Sequence, residues 1–397
     1  MKEQKWEEKK TSLGNAIIIG AVMAVLGVIV GANWGNWLGG FAPYLGIDAA
    51  VSSGVDWSAL DEVYNKLNST YNGEISVNDA IEGAKKGMVE SLGDTYTTYM
   101  DAEKSAAFYD DLHGNVGSGI GVEMGLRDGY VRVLRTLPDN PARKAGILAG
   151  DIIYKVDGEE VWSLASDEIA QKIRGETGSE VTVTVVRDGK ELDFTMKREA
   201  INNVSAYVEY DGKTAVITVT RFDNDTGAMV QKMAQEFASK GINKVIMDLR
   251  GNGGGYVSAA QDLLSLWLDN QKMLIQKSRH YGNTTTNTAG GKAILKDMET
   301  VVLVNGSTAS ASEIVAGALQ DYGKATIVGE QTYGKGVVQS LFELSGGTTL
   351  KVTTAEWYTP NDRSINLTGI APDIVVERSY EDINAMRDPQ LDKAKEL

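Results

Sequence analysis

Four hydroxyl side chains, Ser307, Thr308, Ser310 and Ser312, crowd into the segment Asn305–Glu313, directly after the apolar run Glu299–Val304. A hydroxyl between a buried strand and the start of a helix sits beside main-chain amides that lack intrahelical partners. The helix N-terminus also favours the negative charge that develops when a carbonyl is attacked. Such a place suits a nucleophile with an oxyanion hole. It equally suits plain structure, because Ser310-x-x-Glu313 is a capping box. Residue types alone do not choose among the four hydroxyls.

A nucleophilic hydroxyl needs a base. The chain has two histidines, His113 and His280, neither in a recognisable catalytic motif, and it has no G-x-S-x-G elbow. Lys335 stands between Gly334 and Gly336, flanked by apolar segments, 25 positions after Ser310. A lysine serves as a base when burial lowers its pKa from about 10.4 toward neutrality. Without burial it is a solvated turn residue. A third candidate is Gly251-Asn252-Gly253-Gly254-Gly255, which follows the apolar run Lys244–Asp248. Glycines there let backbone amides approach a ligand closely, as an oxyanion donor must.

One motif is a decoy. Gly329 to Lys335 fits G-x-x-x-x-G-K, but Gly336 follows where a phosphate loop needs Ser or Thr. The next residues, Val337–Phe342, have a strand pattern where a helix is required. The net charge of −15 disfavours a nucleic-acid partner, since phosphates call for basic surface. The absence of cysteine excludes disulfides, thiolate metal sites and a cysteine nucleophile. With two histidines there is no multi-imidazole site either. The expectation is no metal and no cofactor.

The elements that must position these residues fall into segments. Residues 57–112 have a helical pattern, with Leu60, Val63, Tyr64 and Leu67 at helix spacing and a second helix from Asn78 to Gly93. Residues 113–200 have the texture of one small domain of short strands and turns. Asp128-Gly129 and Asp188-Gly189 mark hairpins, and a helix covers Ser166–Ile173. From residue 201 to 397, strands and helices alternate. Thr214–Val219, Lys244–Asp248, Glu299–Val304 and Ala325–Val328 are the expected strands. Thr226–Ser239, Val257–Leu268 and Ser310–Tyr322 are the expected helices. The alternation predicts an α/β core with a largely parallel sheet.

Residues 1–12 contain Lys2, Lys5, Lys9 and Lys10, and no charge follows from Thr11 to Ile47. Residues 13–38 supply the ~20 apolar positions of a membrane helix. Trp34 and Trp37 suit its far interface, and the preceding lysines place the N-terminus in the cytoplasm. No small-x-small cleavage site follows, which favours an anchor over a cleaved signal peptide. The expectation is a single-pass cell-membrane protein with a tether over residues 39–56 and its body on the extracytoplasmic side.

Taken together, the residues resemble the carboxy-terminal processing proteases, tail-specific serine proteases with a PDZ domain. Thr308 to Ile314, Gln320-Asp321-Tyr322-Gly323, Val328-Gly329-Glu330 and Gly334-Lys335-Gly336 carry the likeness. It implies Ser310 as nucleophile, Lys335 as general base and Gln339 as support for the lysine. The amides of Gly253, Gly254 and Ala311 would form the oxyanion hole, and Asp321 would be auxiliary. Thr308 stands where relatives often have serine, and Thr95 where they usually have proline. Residues 114–200 resemble a PDZ domain, inserted before the α/β protease core. Gly119-Ile120-Gly121-Val122 matches its carboxylate-binding loop. Such domains bind a chain end as an added strand, which implies protein substrates with apolar C-terminal tails. Arg174, beside Gly175 at the end of the PDZ helix, is a candidate for sensing the tail or latching the domain, alongside the reading of a plain surface arginine. The family also implies a homo-oligomer through residues 57–112.

Overall fold

The computed structural model describes residues 56–397, apart from positions 128, 281, 292 and 386. The expected cytoplasmic segment 1–12, the anchor 13–38 and all but the last residue of the tether lie outside the described residues. Among the described residues, no helix is long and apolar enough to cross a membrane.

Two amphipathic helices come first, α1 (Ser58–Thr70) and α2 (Val77–Glu90), and neither has a buried residue. Leu60, Val63 and Leu67 of α1 and Ile81 and Met88 of α2 are about half exposed or more. Residues 81–397 form a compact unit. The helical expectation for 57–112 misses one element, the strand β1 (Thr98–Met100), which pairs into a sheet with residues 349–351. Helix α3 (Ala102–His113) follows. The Asp101 side chain caps its start by accepting from the Lys104 amide at 2.9 Å, and Gly114 ends it at φ 72°.

The next domain is entered and left through a two-strand ladder, β2 (Ser118–Gly119) with the later β9. Its sheet contains β3 (Val122–Arg127), β4 (Tyr130–Thr136), β5 (Ile152–Val156), β6 (Glu159–Glu160), β7 (Glu180–Arg187) and β8 (Lys190–Lys197). The order is β3-β4-β5-β7-β8, with β6 on β5, so β3 is an edge. Two helices pack on it, α4 (Pro141–Ala145) and α5 (Ser166–Ile173), the latter with the bounds expected from sequence. The β7–β8 turn uses Asp188 at φ 51° and Gly189 at φ 73°, the left-handed pair that a two-residue hairpin requires. Ile120, Val133, Ile153, Ile169 and Val183 form its core. The exit strand β9 spans Glu199–Ala200.

The largest core is built on β10 (Ala206–Asp211), β11 (Thr214–Val219), β12 (Lys244–Asp248), β15, β16 and β19. Only β10 is antiparallel; the register runs Ile217 to Met247 and Met247 to Val302 in parallel. Helices α6 (Thr226–Gln235), α7 (Phe237–Lys240) and α8 (Val257–Leu264) precede β13 (Lys272–Ser278) and β14 (Gly282–Asn287). Then come β15 (Glu299–Val304), α9 (Ala311–Asp321), β16 (Thr326–Gly329), β17 (Val337–Glu343), β18 (Thr349–Tyr358) and β19 (Ile374–Val375). Helices α10 (Tyr380–Asn384) and α11 (Pro389–Glu396) close the chain.

Alternation explains why the central strands are apolar throughout. Val245, Met247, Val302 and Val304 face the main core with α6, α8 and α9. Ile246, Val301 and Leu303 face the opposite cluster, where Ala394 of α11 covers them. A parallel strand buried on both faces carries no polar alternation. The expected helix Thr226–Ser239 is broken at Glu236, and the helix expected to reach Leu268 stops at Leu264. A second sheet was not legible. It runs β1-β18-β13-β14, with β17 also on β18, and is antiparallel throughout.

Candidate active site

Strand β15 ends at Val304, and the chain turns through Asn305–Ala309 into α9, with Ser310 as its N-cap. Each nearby hydroxyl has a different fate. Thr308 is fully buried and donates to the Leu249 carbonyl at 2.9 Å. Ser312 is fully buried and donates to the Asn252 carbonyl at 3.0 Å. Ser307 is exposed and lies outside the cavity described below. The Ser310 hydroxyl makes no capping bond. The capping box is therefore half formed: Glu313 accepts from the Ser310 amide at 2.8 Å, but the serine side chain is not used in return. Ser310 also holds φ at 58° and ψ at −117°, a strained conformation for a residue with a Cβ. Structure thus makes a selection that residue types could not.

Glu313 organises more than the helix start. Its fully buried carboxylate accepts from the Lys335 amide at 2.9 Å, the Gly334 amide at 2.7 Å and the Thr332 hydroxyl at 2.6 Å. Trp357 of β18 holds the same loop from the other side, its indole donating to the Lys335 carbonyl at 2.9 Å. The glycines beside Lys335 are required by space. A Cβ at Gly336 would lie 2.6 Å from the Asn366 backbone, and one at Gly334 2.9 Å from the amides of Thr368 and Gly369. No helix follows this loop; β17 does, which removes the phosphate-loop reading.

The Lys335 side chain is partly buried, with its ammonium 5.6 Å from the Tyr96 ring centroid. Burial, and then the charge of Lys351, push its pKa below the usual lysine value, while Glu313 pulls the other way. Ser310, Lys335 and Gln339 line one cavity of about 720 Å³. Neither histidine lines it. His113 contacts the Tyr256 hydroxyl at 3.3 Å and stacks on Tyr109.

The glycine turn packs against Ser310. Asn252 is its hub, a role that sequence reasoning missed. Its buried amide donates to the Val219 carbonyl at 2.8 Å, and its carbonyl accepts from the Ala309 amide at 3.0 Å. Gly254 requires correction as an oxyanion donor, because its amide already donates to the Asn252 side chain at 2.8 Å. The amides of Gly253 and Ala311 have no protein acceptor among the described residues. Ala311 is at the first position of α9, where an orphan amide is expected.

Gln339 does not bond to Lys335; its amide donates to the Tyr96 carbonyl. Asp321 lies at the far end of α9, roughly 16 Å along the axis from Ser310. It accepts from Asn361 and Arg363 at 2.8 and 2.7 Å, and so ties the helix end to the 361–363 loop. Lys351 and Tyr96 were also missed, because a lysine in a half-polar strand and a tyrosine before a short one have no distinctive sequence setting.

The same cavity reaches the smaller domain. Gly119, Ile120, Gly121 and Val122 line it, as do Ala170, Ile173 and Arg174 at the end of α5. The Ile120 and Gly121 carbonyls are engaged by the Ala142 and Leu137 amides at 2.8 and 2.9 Å, while their own amides have no protein acceptor among the described residues. Gly121 holds φ at 77°, and a Cβ there would sit 2.3 Å from that of Asn140. Arg174 is exposed.

Three family models match the chain: Peptidase family S41 over residues 213–376, PDZ domain over 118–197, and Activating protease CtpB N-terminal domain over 47–104. A probable CtpA-like serine protease of Staphylococcus aureus (strain bovine RF122 / ET3-1) is 35% identical over 331 residues, which cover 82% of this chain and 66% of that protein. A counterpart in Staphylococcus saprophyticus is 33% identical, covering 82% and 67%. The chain thus spans about two thirds of the length of these curated relatives. Among solved structures, a photosystem II D1 C-terminal processing protease is 27% identical with a TM-score of 0.52, over 82% of this chain and 87% of that one. A putative S41 protease from Bacteroides fragilis NCTC 9343 has a TM-score of 0.57 at 17% identity, over 78% and 88%, a likeness of fold alone. With sequence relatives and fold in agreement, the chain belongs to the carboxy-terminal processing protease family, the PDZ-containing branch of peptidase family S41.

Proposed function

We propose that the chain is a serine endopeptidase that cleaves proteins near their C-terminus, with Ser310 as nucleophile and Lys335 as general base. The observation that carries this reading is the Glu313 carboxylate, which accepts from the main chains of both residues while leaving the hydroxyl and the amine facing one cavity. Neutral Lys335 takes the Ser310 proton as the hydroxyl attacks a peptide carbonyl. The oxyanion rests on the Gly253 and Ala311 amides at the positive end of α9. The amine leaves with the proton from Lys335, and water, activated by the same lysine, releases the acyl group. Gln339 keeps a supporting part through Tyr96, whose ring lies beside the lysine head.

The free amides of Ile120 and Gly121, with edge strand β3 and helix α5 beside them, support binding of a substrate tail as an added strand. Arg174 lines the same cavity, which supports a contact with that tail. The uncharged stretch from Thr11 to Ile47 supports a membrane anchor, with the protease and PDZ domains outside the cytoplasm. The exposed apolar faces of α1 and α2 support self-association through residues 57–112.

The test is proteolysis of a tailed substrate by wild type, Ser310→Ala and Lys335→Ala at equal fold integrity. Each variant is expected to lose on the order of 10⁴ in turnover. Full activity in either one sinks the dyad.

A further inference from the structure

Lys351 is the third residue of β18, opposite Thr98 of β1 on one side and Leu341 of β17 on the other. It lines the cavity that contains Ser310 and Lys335. The side chain is partly buried, and no carboxylate or hydrogen-bond acceptor partners its ammonium among the described residues. Its ammonium lies over the Phe108 ring, 5.6 Å from the centroid. A cation drawn out of water without a counter-ion carries an uncompensated desolvation cost, of which a ring face returns only part. The chain has a net charge of −15, yet among the described residues no acid pairs with this lysine.

The other charges around the cavity do not fill that place. Arg135 is paired with Glu123, and Arg221 with Asp223. Asp111 and Arg174 are exposed. Lys335 must be neutral to act as the base. Besides Lys335, that leaves Lys351 as the partly buried cation of this cavity with no acid beside it among the described residues. A peptide joining the Gly119–Val122 loop to Ser310 runs through the cavity that Lys351 lines.

We propose that Lys351 is a specificity-determining residue of this centre, its ammonium binding a carboxylate carried by the substrate segment that crosses β18 between the tail loop and Ser310. The carboxylate comes either from an acidic side chain in that segment or, for a chain whose end is not seated in the tail loop, from its terminus. The inference rests on the protease reading above.

The experiment compares ratios within each enzyme variant, so that a general loss of turnover cancels. The probes are fluorogenic peptides with one apolar C-terminal sequence. Glu or Gln is scanned through the positions flanking the scissile bond, and each peptide is made with a free or an amidated end. Wild type is expected to favour Glu over Gln at one position by about tenfold in kcat/KM. In Lys351→Met and Lys351→Gln that ratio falls to about one, and in Lys351→Arg it is kept. If the free-to-amide ratio falls in the Met and Gln variants while the Glu-to-Gln ratio does not, the group bound is the terminus. If both ratios are the same in wild type and in the Met and Gln variants, the proposal is overturned. Turnover by wild type with no carboxylate preference overturns this inference alone. Absence of turnover by wild type, with Ser310→Ala equally silent, overturns the protease reading and this one with it.

Discussion

Glu313 and Lys335 are joined through the main chain: the glutamate Oε2 accepts from the lysine amide at 2.9 Å, and the same oxygen accepts from the Ser310 amide at 2.8 Å. One oxygen therefore sets the spacing between two loops that the sequence separates by 25 positions. The acid is fully buried, and its second oxygen is taken by Thr332 and Gly334, so it has no freedom to drift. Its work is positional, since it touches the backbone and not the reacting groups.

Glu313→Gln keeps the volume but replaces an acceptor with a donor that faces N–H groups. One or two buried donors are left unmatched, at about 1–3 kcal/mol each. The variant is expected to unfold at lower denaturant and to lose about 10²-fold in kcat, the scale of a small misplacement of catalytic groups. Urea melts alongside kinetics check both.

Lys335 should give the enzyme an alkaline bias. Its amine is held below the usual lysine value of 10.5 by burial and by Lys351. On the proposed mechanism a lysine base is active only when neutral, so kcat/KM should rise with pH along a limb lying below that value. Stability follows the same sign. Below its folded pKa, the protein must bury a charged amine that is solvated when unfolded, and the penalty is full. It fades as pH rises from the folded pKa to 10.5, above which both states are neutral. Lys335→Met should therefore be more stable than wild type at neutral pH, with the gap closing toward pH 10.5 in paired melts.

Gly254→Ala places a methyl group 2.8 Å from the Ser310 Cβ, at a φ of 105° that L side chains rarely adopt. Strain of about 1–3 kcal/mol is expected. Because the clash falls on Ser310 itself, turnover should drop by about 10²-fold while KM changes little. A KM effect alone would place the glycine in binding instead.

Amidating the C-terminus of a substrate removes the charge that, on the proposed reading, the Ile120 and Gly121 amides receive. A charged hydrogen bond contributes about 1.5–3 kcal/mol, so KM should rise by roughly 10- to 100-fold with kcat nearly unchanged. Equal kinetics for both peptides would remove the tail loop from recognition.

Legibility followed locality. Helix Ser166–Ile173 and the strands Thr214–Val219, Lys244–Asp248 and Glu299–Val304 emerged with their bounds, and the β7–β8 hairpin with its Asp188-Gly189 turn, because turn residues and apolar runs act over a few positions. The antiparallel sheet through β18 did not. Its strand TLKVTTAEWY is half polar, and its pairing of Lys351 with Thr98 joins distant parts of the chain. No local rule contains that partner.

The amino-acid sequence by itself determined the family, the alternating α/β order and the exclusion of thiolate and phosphate-loop chemistry. Capping and glycine spacing also marked where a hydroxyl and a lysine were of interest. It did not choose Ser310 over Thr308 and Ser312 on physical grounds. Tertiary structure engages the other two hydroxyls with the Leu249 and Asn252 carbonyls and leaves Ser310 on the cavity. It also removed Gly254 from the donor set, gave Asn252 and Glu313 their positional work, and brought Lys351 beside Lys335. Each of these depends on which buried donor meets which acceptor across the fold, and burial is a property of packing that no single segment possesses.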